Sequence, residues 1–388
     1  MKVKFKDFSE ILAGTGFPII YQGEKTGKFP FYKVGDIAKN ISQGNTLLGF
    51  CDNYINDDIV SKIKGTIIPP GSIVFAKIGE AVKLNRRAIT ASACLVDNNV
   101  MAIKPNEEKV DLKYFYYLLT SMKMEKYAEK TTVPSVKKSV IENLEIELQP
   151  LAEQRKIANK LDTVSSLISL RNQQLKQLDV LVKSRFVEMF GMQDYTKESL
   201  ENNVEEMFIG PFGSSLKNEC FVEKEKGYCM VYEQKHAIQK TMDLPTRYIT
   251  EDKYQELKRF TVLPGDIIVS CRGTIGEIFA VPMDAPLGIM HPSIMKIRLK
   301  KNKYNYNFFV FALEQSLKQH EREVVGSSIK MAITATALGK EKFIIPDMEV
   351  QNNFVAFVQQ VDKSKFTIKQ SLEQLELLKK KLMQDYFG

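Results

Sequence analysis

Basic and amide side chains gather just past the end of one short apolar run, and again at the matching place later in the chain. Lys77, Lys83, Asn85, Arg86 and Arg87 follow Ile73-Val74-Phe75; Arg272, with Gly273 and Gly276, follows Ile267-Ile268-Val269. Asn98 and Asn99 correspond roughly to His291 and Ser293. Two later polar stretches add Lys137 and Lys138 in TTVPSVKKS, and Lys330 and Thr334 in GSSIKMAITATAL. Ser214, Ser215 and Lys217 belong to a Gly-rich segment, Phe208 to Lys217. Such residues read nucleic acid: Arg pairs with guanine edges, Asn with adenine, and hydroxyl and ammonium groups with phosphate. Any one of them, taken singly, reads first as a solvated surface group. The Gly-rich segment reads either as a turn whose backbone approaches a phosphate or as a plain tight turn. The recurrence of these types at equivalent places points to nucleic acid.

Catalytic motifs are not found. Gly23-Glu24-Lys25-Thr26-Gly27-Lys28 is one residue short of a phosphate-binding loop and is followed by Phe29 instead of Ser or Thr. An adenine methyltransferase needs an (N/D)PP(Y/F) tetrapeptide, and the only Pro-Pro stands in Ile68-Pro69-Pro70-Gly71. Acidic-x-Lys triplets such as Asp111-Leu112-Lys113 arise by chance in so lysine-rich a chain, and His291-Pro292-Ser293 has no partner for a triad. With three histidines and five cysteines that form no CxxC pair, a metal site has little to draw on. No catalytic residue, no metal and no cofactor is expected on this chain.

The elements that must position these residues come in two copies. Residues 154–191 align without a gap on 351–388, with ten of thirty-eight positions identical and both ending in Phe-Gly. In the first, Ile157, Leu161, Val164, Ile168, Leu175, Leu178 and Val182 recur at steps of four and three, with Arg171 and Arg185 at the interruptions. The second repeats the frame with Phe354, Val358, Val361, Ile368, Leu372, Leu375 and Leu382, interrupted by Lys365 and Lys379. A period of 3.5 over about four heptads predicts coiled-coil packing. Parallel packing would make the intervening domain span a rod about 55 Å long, so antiparallel packing is expected. An inert spacer or an intermolecular coil is the other reading.

The duplication extends into the domains. Pro70-Gly71-Ser72-Ile73-Val74-Phe75 matches Pro264-Gly265-Asp266-Ile267-Ile268-Val269, and Asn99 to Ile103 matches Ser293 to Ile297. Aromatic helices follow, YFYYLLTSM from Tyr114 and FFVFALEQS from Phe308. Mixed short strands and helices predict an α+β fold: two mixed domains and two long helices with pseudo-two-fold repetition. The boundaries read as 1–150 for the first domain, 151–191 for the first long helix, 192–346 for the second domain and 347–388 for the second helix.

Composition agrees. Of 388 residues, 44% are hydrophobic and 26% charged, as in a globular protein, and no apolar run reaches membrane-span length. A polar N-terminus and an odd cysteine count fit a reducing cytoplasm, with no membrane partner. The net charge of +8 divides unevenly: 28 basic against 21 acidic residues in 1–191, and 27 against 26 in the rest. A mild basic excess is compatible with nucleic acid.

Taken together, PLAEQRKIANKLD with its helix, the distal helix ending LMQDYFG, and the FAKIGEAVKLNRRA and FIGPFGSSLK segments resemble the specificity subunit of type I restriction-modification systems. The resemblance covers essentially the whole chain. It departs at the second helix start, where Val350-Gln351-Asn352-Asn353 replaces Glu153-Gln154-Arg155-Lys156. It implies a non-catalytic reader of double-stranded DNA: each domain binds one half of a split, asymmetric target and the helices set the gap. It also implies two modification subunits that methylate adenine N6 with S-adenosylmethionine, and restriction subunits that use ATP and Mg. The competing reading is an adaptor whose coil joins two protein-binding domains; it predicts no salt-sensitive DNA affinity.

Overall fold

The computed structural model describes residues 2–129, 132–191, 193–300, 303–324 and 334–388, with backbone alone for 319–324. The chain divides into two compact units, residues 1–177 with 366–388, and residues 178–365.

In the first unit a five-stranded sheet runs in the order Ser9–Ala13, Val100–Pro105, Ile73–Ala76, Arg87–Thr90, Leu47–Leu48. Its central strand, Ile-Val-Phe-Ala, is buried at every position. Successive side chains point to opposite faces, so such a strand divides two cores. Ile73, Phe75, Met101 and Ile103 face helices, among them the aromatic helix Leu112–Ser121. Val74, Val100 and Ala102 face a smaller sheet. That sheet pairs Phe29–Tyr32 antiparallel with Tyr54–Ile55 and parallel with Leu95–Val96.

The second unit repeats these layers. Its four-stranded sheet is ordered Val204–Ile209, Ile294–Leu299, Ile267–Ser270, Ile278–Ala280. Ile267, Val269, Met295 and Ile297 face the helical core, while Ile268 and Ile294 face the other. The smaller sheet again holds one parallel pair, Cys229–Tyr232 with Gly288–Met290. The expected Pro-Gly turns are present: Gly71 and Gly265 have φ of 72° and 84°, which only glycine adopts without strain. The α+β reading holds in both units.

Two 40-residue helices, Leu151–Phe190 and Met348–Phe387, contribute to both units. Ile157, Leu161, Val164, Val182, Phe354 and Val361 are buried. Ile168, Leu175, Leu178, Val358, Ile368, Leu372, Leu375 and Leu382 are half-buried, as are the interrupting Arg171, Arg185, Lys365 and Lys379. The 4-3 frame therefore marks the inward seam along both helices. Within the first unit Lys160 Nζ donates to Tyr386 Oη at 3.2 Å, setting the start of one helix beside the end of the other. Within the second, Lys365 Nζ lies 2.7 Å from Asp179. Phe354, early in its helix, also packs there on Phe186 and Phe190 at the end of the other. Early residues of one helix thus meet late residues of the other in each unit, which is antiparallel packing. Lys365 is thus answered by a carboxylate at a seam position where an unpaired ammonium would oppose packing.

Each long helix enters through a buried glutamine. Gln154 Oε1 accepts from Asp111 N at 2.9 Å while its Nε2 donates to Gln149 O at 2.8 Å. Gln351 does the same with Asn305 N at 2.8 Å and Pro346 O at 2.7 Å. The neighbouring Asp111 and Asn305 cap their aromatic helices through side-chain oxygens that accept from the first turn. The duplication thus reaches individual hydrogen bonds, even where Arg155-Lys156 becomes Asn352-Asn353.

Candidate nucleic-acid interface

A polar mouth forms in each unit where the two parallel strands of the smaller sheet end and a helix begins. In the first unit Phe29–Tyr32 runs into Lys33, and Val34–Ser42 forms a helix whose start is closed by Lys33 N donating to Asp36 Oδ2 at 2.8 Å. Leu95–Val96 runs into Asp97, whose N–H donates to Tyr32 O at 3.0 Å. Lys77 N donates to Asn99 O at 2.8 Å, which brings the end of Ile73–Ala76 alongside. Lys33 Nζ donates to Gln22 Oε1. Burial holds the Asp97 carboxyl above its ordinary value, against the opposing effects of the Asn99 and Val34 N–H groups and of Lys33 and Lys77.

The second unit builds the same mouth from different side chains. Tyr232 is followed by Glu233, and the Gln234–Gln239 helix opens with Glu233 N donating to His236 Nδ1 at 2.9 Å. His291 N donates to Tyr232 O at 2.9 Å, and Cys271 N to Ser293 O at 2.9 Å. Lys33, Asp97, Lys77 and Asn99 are therefore replaced by Glu233, His291, Cys271 and Ser293. Charge inverts at one position and disappears at two others. Burial would raise the Glu233 carboxyl, but Arg247 and Lys235 outweigh it and hold it below its ordinary value. Burial pushes the His291 imidazole below its ordinary value, with Glu233, Arg247, Arg272 and Lys235 as its charged neighbours. The Arg247 guanidinium lies 3.9 Å over the Phe221 ring.

One close approach defines each mouth. A Cβ on Gly14 would fall 1.8 Å from Asp97 O, and one on Gly210 would fall 2.4 Å from His291 O. Only glycine lets the loop after the first sheet strand cross there. Gly210 belongs to the segment in which a phosphate cradle was one reading, and its missing side chain serves an internal contact.

The expected DNA-facing residues fall into three groups. Lys83, Arg86, Asn98, Asn99, Lys137, Lys138, Ser214, Lys217 and Arg272 are exposed, and Lys77, Ser215 and His291 are half-buried. Lys77 and Lys137 share one groove with Lys138, because Val136 N donates to Lys77 O and Gly79 N to Pro134 O, each at 2.8 Å. Lys83, Lys137, Lys138 and Lys217 pair with Glu80, Glu129, Glu142 and Glu219. Such exposed pairs cost little to exchange for a phosphate.

A second group is turned inward. Arg87 is 3% exposed and donates to Asn85 Oδ1 at 2.7 Å and Met122 O at 3.1 Å. Asn85 also donates to Thr120 O and accepts from Met124 N. The expectation that these two face DNA is corrected: they tie the Arg87–Thr90 strand to the end of the aromatic helix. Ser293 is buried with its hydroxyl 2.8 Å from His291 Nδ1, so it orients that ring. Thr334 is exposed rather than turned inward, and its hydroxyl accepts from Ala337 N at 3.1 Å as a helix cap. The approximate match of Asn98 to His291 is also corrected, since backbone bonding equates Asp97 with His291. Lys330 lies outside the described residues.

Sequence reasoning missed Lys33, Asp97, Glu233, Lys235 and Arg247. The available signal was a polar residue directly after each apolar strand that leads into a helix, in Phe31-Tyr32-Lys33 and Val231-Tyr232-Glu233. All five cysteines are free, and burial raises the thiols of Cys51 and Cys229 to about 11. Among the described residues no three His, Cys, Asp or Glu side chains group to hold a metal ion, and no helix is long and apolar enough to cross a membrane.

Comparison with known proteins places this geometry among relatives. The model of a family described as the type I restriction modification DNA specificity domain matches residues 1–180 and 202–377. A Methanocaldococcus jannaschii protein assigned as the type I restriction enzyme MjaX specificity subunit is 24% identical over 396 residues, covering 98% of this chain and 91% of the relative. The MjaVIII specificity subunit of the same organism is 22% identical, covering 98% and 90%. A structure described as addressing complex assembly and conformational transition of the type I R-M system superposes with a TM-score of 0.62 at 16% identity, covering 100% of this chain and 97% of the other. The type I restriction-modification S subunit from M. genitalium gives a TM-score of 0.50 at 16% identity, covering 100% and 96%. At such identities the structural likeness is one of fold.

Proposed function

Since the chain belongs to the type I restriction-modification DNA specificity family, we propose that it reads a bipartite, asymmetric DNA target, one half with each unit. The observation that carries this reading is the pair of mouths: one backbone frame, with Lys33, Asp97 and Lys77 in one copy and Glu233, His291 and Cys271 in the other. A protein that held the frame twice and filled it differently would read two unlike half-sites. Carboxylates accept from cytosine N4 and cations donate to guanine, so half-buried Lys33 and Asp97 in one copy and half-buried His291 in the other favour different base edges. Buried Glu233 holds Arg247 and Lys235 beside His291. Exposed Lys137, Lys138, Arg86, Lys217 and Arg272 supply phosphate contacts that fix register.

The chain acts without catalysis of its own and directs adenine-N6 methylation and restriction by partner subunits. S-adenosylmethionine belongs to the partner methyltransferase, and ATP and Mg to the partner restriction subunit. Leu167, Leu170, Leu181, Leu377 and Leu378 are exposed on the long helices, away from the inward seam. They suit the docking of modification subunits. The helices set the gap between the half-sites.

Co-expression with the neighbouring methyltransferase, followed by single-molecule mapping of N6-methyladenine, tests the reading. The expected result is a gapped motif with two unlike halves that vanishes when this chain is omitted. A continuous palindromic motif, or methylation independent of the chain, would reject it in favour of a protein-binding adaptor.

A further inference from the structure

The loop that leaves the first strand of each main sheet ends in an exposed apolar tip. After Ser9–Ala13 come Ile19 and Ile20, 84% and 80% exposed; after Val204–Ile209 comes Phe212, 87% exposed. A proline precedes each tip, in Pro18-Ile19-Ile20 and Pro211-Phe212. Among the described residues only one other large apolar side chain, Met283 on a different loop, is comparably exposed. Leaving such groups in water is unfavourable, and here it is done twice at one place in the fold while the tip residues differ.

Both loops are anchored at their roots. Gly14 N donates to Val100 O at 3.3 Å and Gly210 N to Ile294 O at 3.0 Å. Gly14 rests on the Asp97 carbonyl and Gly210 on that of His291, so each tip rises from the edge of a polar mouth. In the first unit Thr15 N donates to Val96 O at 2.8 Å, and Gln22 bridges Phe17 O to Lys33. The Phe17 ring stacks on Phe31 at 3.8 Å. In the second, Ser215 N donates to Phe212 O at 2.9 Å and closes the turn. The fixed φ of proline stiffens both loops further. The tips are presented on tethered loops.

We propose that Phe212 and the Ile19–Ile20 pair are wedges that enter a base-pair step of double-stranded DNA, unstack it and bend the duplex. The proposal rests on the DNA-reading function above and adds a second mode of reading. Each unit then selects its half-site by deformability as well as by base edges, favouring a flexible pyrimidine–purine step beside the read bases. The surroundings point to DNA. A protein-docking patch is a contiguous apolar area, whereas each tip is one or two side chains on a loop beside Lys33 and Asp97, or beside Ser214 and Lys217.

The test uses the full chain assembled with its modification subunits, on the target defined by methylation mapping. 2-Aminopurine is placed in turn at positions other than the methylated adenine, whose own extrusion would brighten the probe. The expected result is bright fluorescence at one step in each half. Phe212→Ser should abolish it in one half, Ile19→Ser with Ile20→Ser in the other, and Phe212→Leu should retain it. Each polar variant should bind about tenfold more weakly. An unchanged profile in the variants, or no bright step with the wild-type chain, overturns the wedge while leaving the methylated motif in place. Loss of subunit assembly with the DNA profile intact assigns the tips to a protein contact and also overturns it. Absence of any salt-sensitive DNA affinity would overturn both the wedge and the reading beneath it.

Discussion

Gln154 accepts a hydrogen bond from the backbone of Asp111, and Gln351 repeats that bond with Asn305 at the start of the other long helix. Both glutamines are essentially fully buried, and both also donate to a carbonyl of the segment that leads into the helix. Each one staples a long helix to the turn that caps the aromatic helix of its unit. Replacing either with leucine removes the partner of a backbone N–H and of a backbone carbonyl at the helix start. Gln154→Leu and Gln351→Leu are each expected to cost about 1–3 kcal/mol. Urea unfolding followed by circular dichroism measures the cost, and a change below a few tenths would contradict it.

Acid should weaken the second unit through His236. Burial is the largest cause holding this imidazole below its ordinary value of 6.5, and its Nδ1 accepts from Glu233 N. The folded chain keeps the ring neutral while the unfolded chain binds a proton below about pH 6.5. Stability is therefore full above that value and falls as the pH drops through it. Protonation would also end the ring's acceptor role in the helix cap. His236→Asn keeps an acceptor without the titration, so it should lose less stability than wild type between about pH 7.5 and about pH 5.5. Equal losses would place the acid sensitivity elsewhere, and His291, shifted in the same direction, is the next group to substitute.

Phosphate and base contacts separate by their response to salt. Arg86→Ala or Lys137→Ala should weaken binding on all sequences and lower the slope of log affinity against log salt by about one. Asp97→Asn and His291→Gln should leave the slope nearly unchanged and relax the choice of base in one half each, by about 1–3 kcal/mol per position. Binding to libraries randomised in each half, at two salt concentrations, distinguishes the outcomes.

The helices as ruler make a length prediction. Inserting one heptad into each long helix in register adds about 10 Å. The unread gap in the methylated motif should widen by up to about three base pairs, at about 3.4 Å per pair. Methylation that persists at the old gap would show that the helices do not set the spacing.

Much of this molecule was legible in the chain. The 4-3 spacing from Ile157 and from Phe354 located the seam, because helical periodicity is local and a charge at Arg171 or Lys365 does not erase it. Pro70-Gly71 and Pro264-Gly265 located a buried strand in each unit, because a turn requiring positive φ leaves a glycine in the sequence. The repeat also established that the chain builds one architecture twice. Tertiary structure alone decided which polar residues face outward. Arg87 and Asn85 look like base readers in sequence, yet a guanidinium that meets Asn85 Oδ1 and Met122 O is spent inside the fold. Lys33 and Asp97 are sixty-four positions apart and become neighbours only when two parallel strands bring their ends together. Burial and long-range pairing depend on where distant strands and loops meet, and no local pattern of residues encodes that.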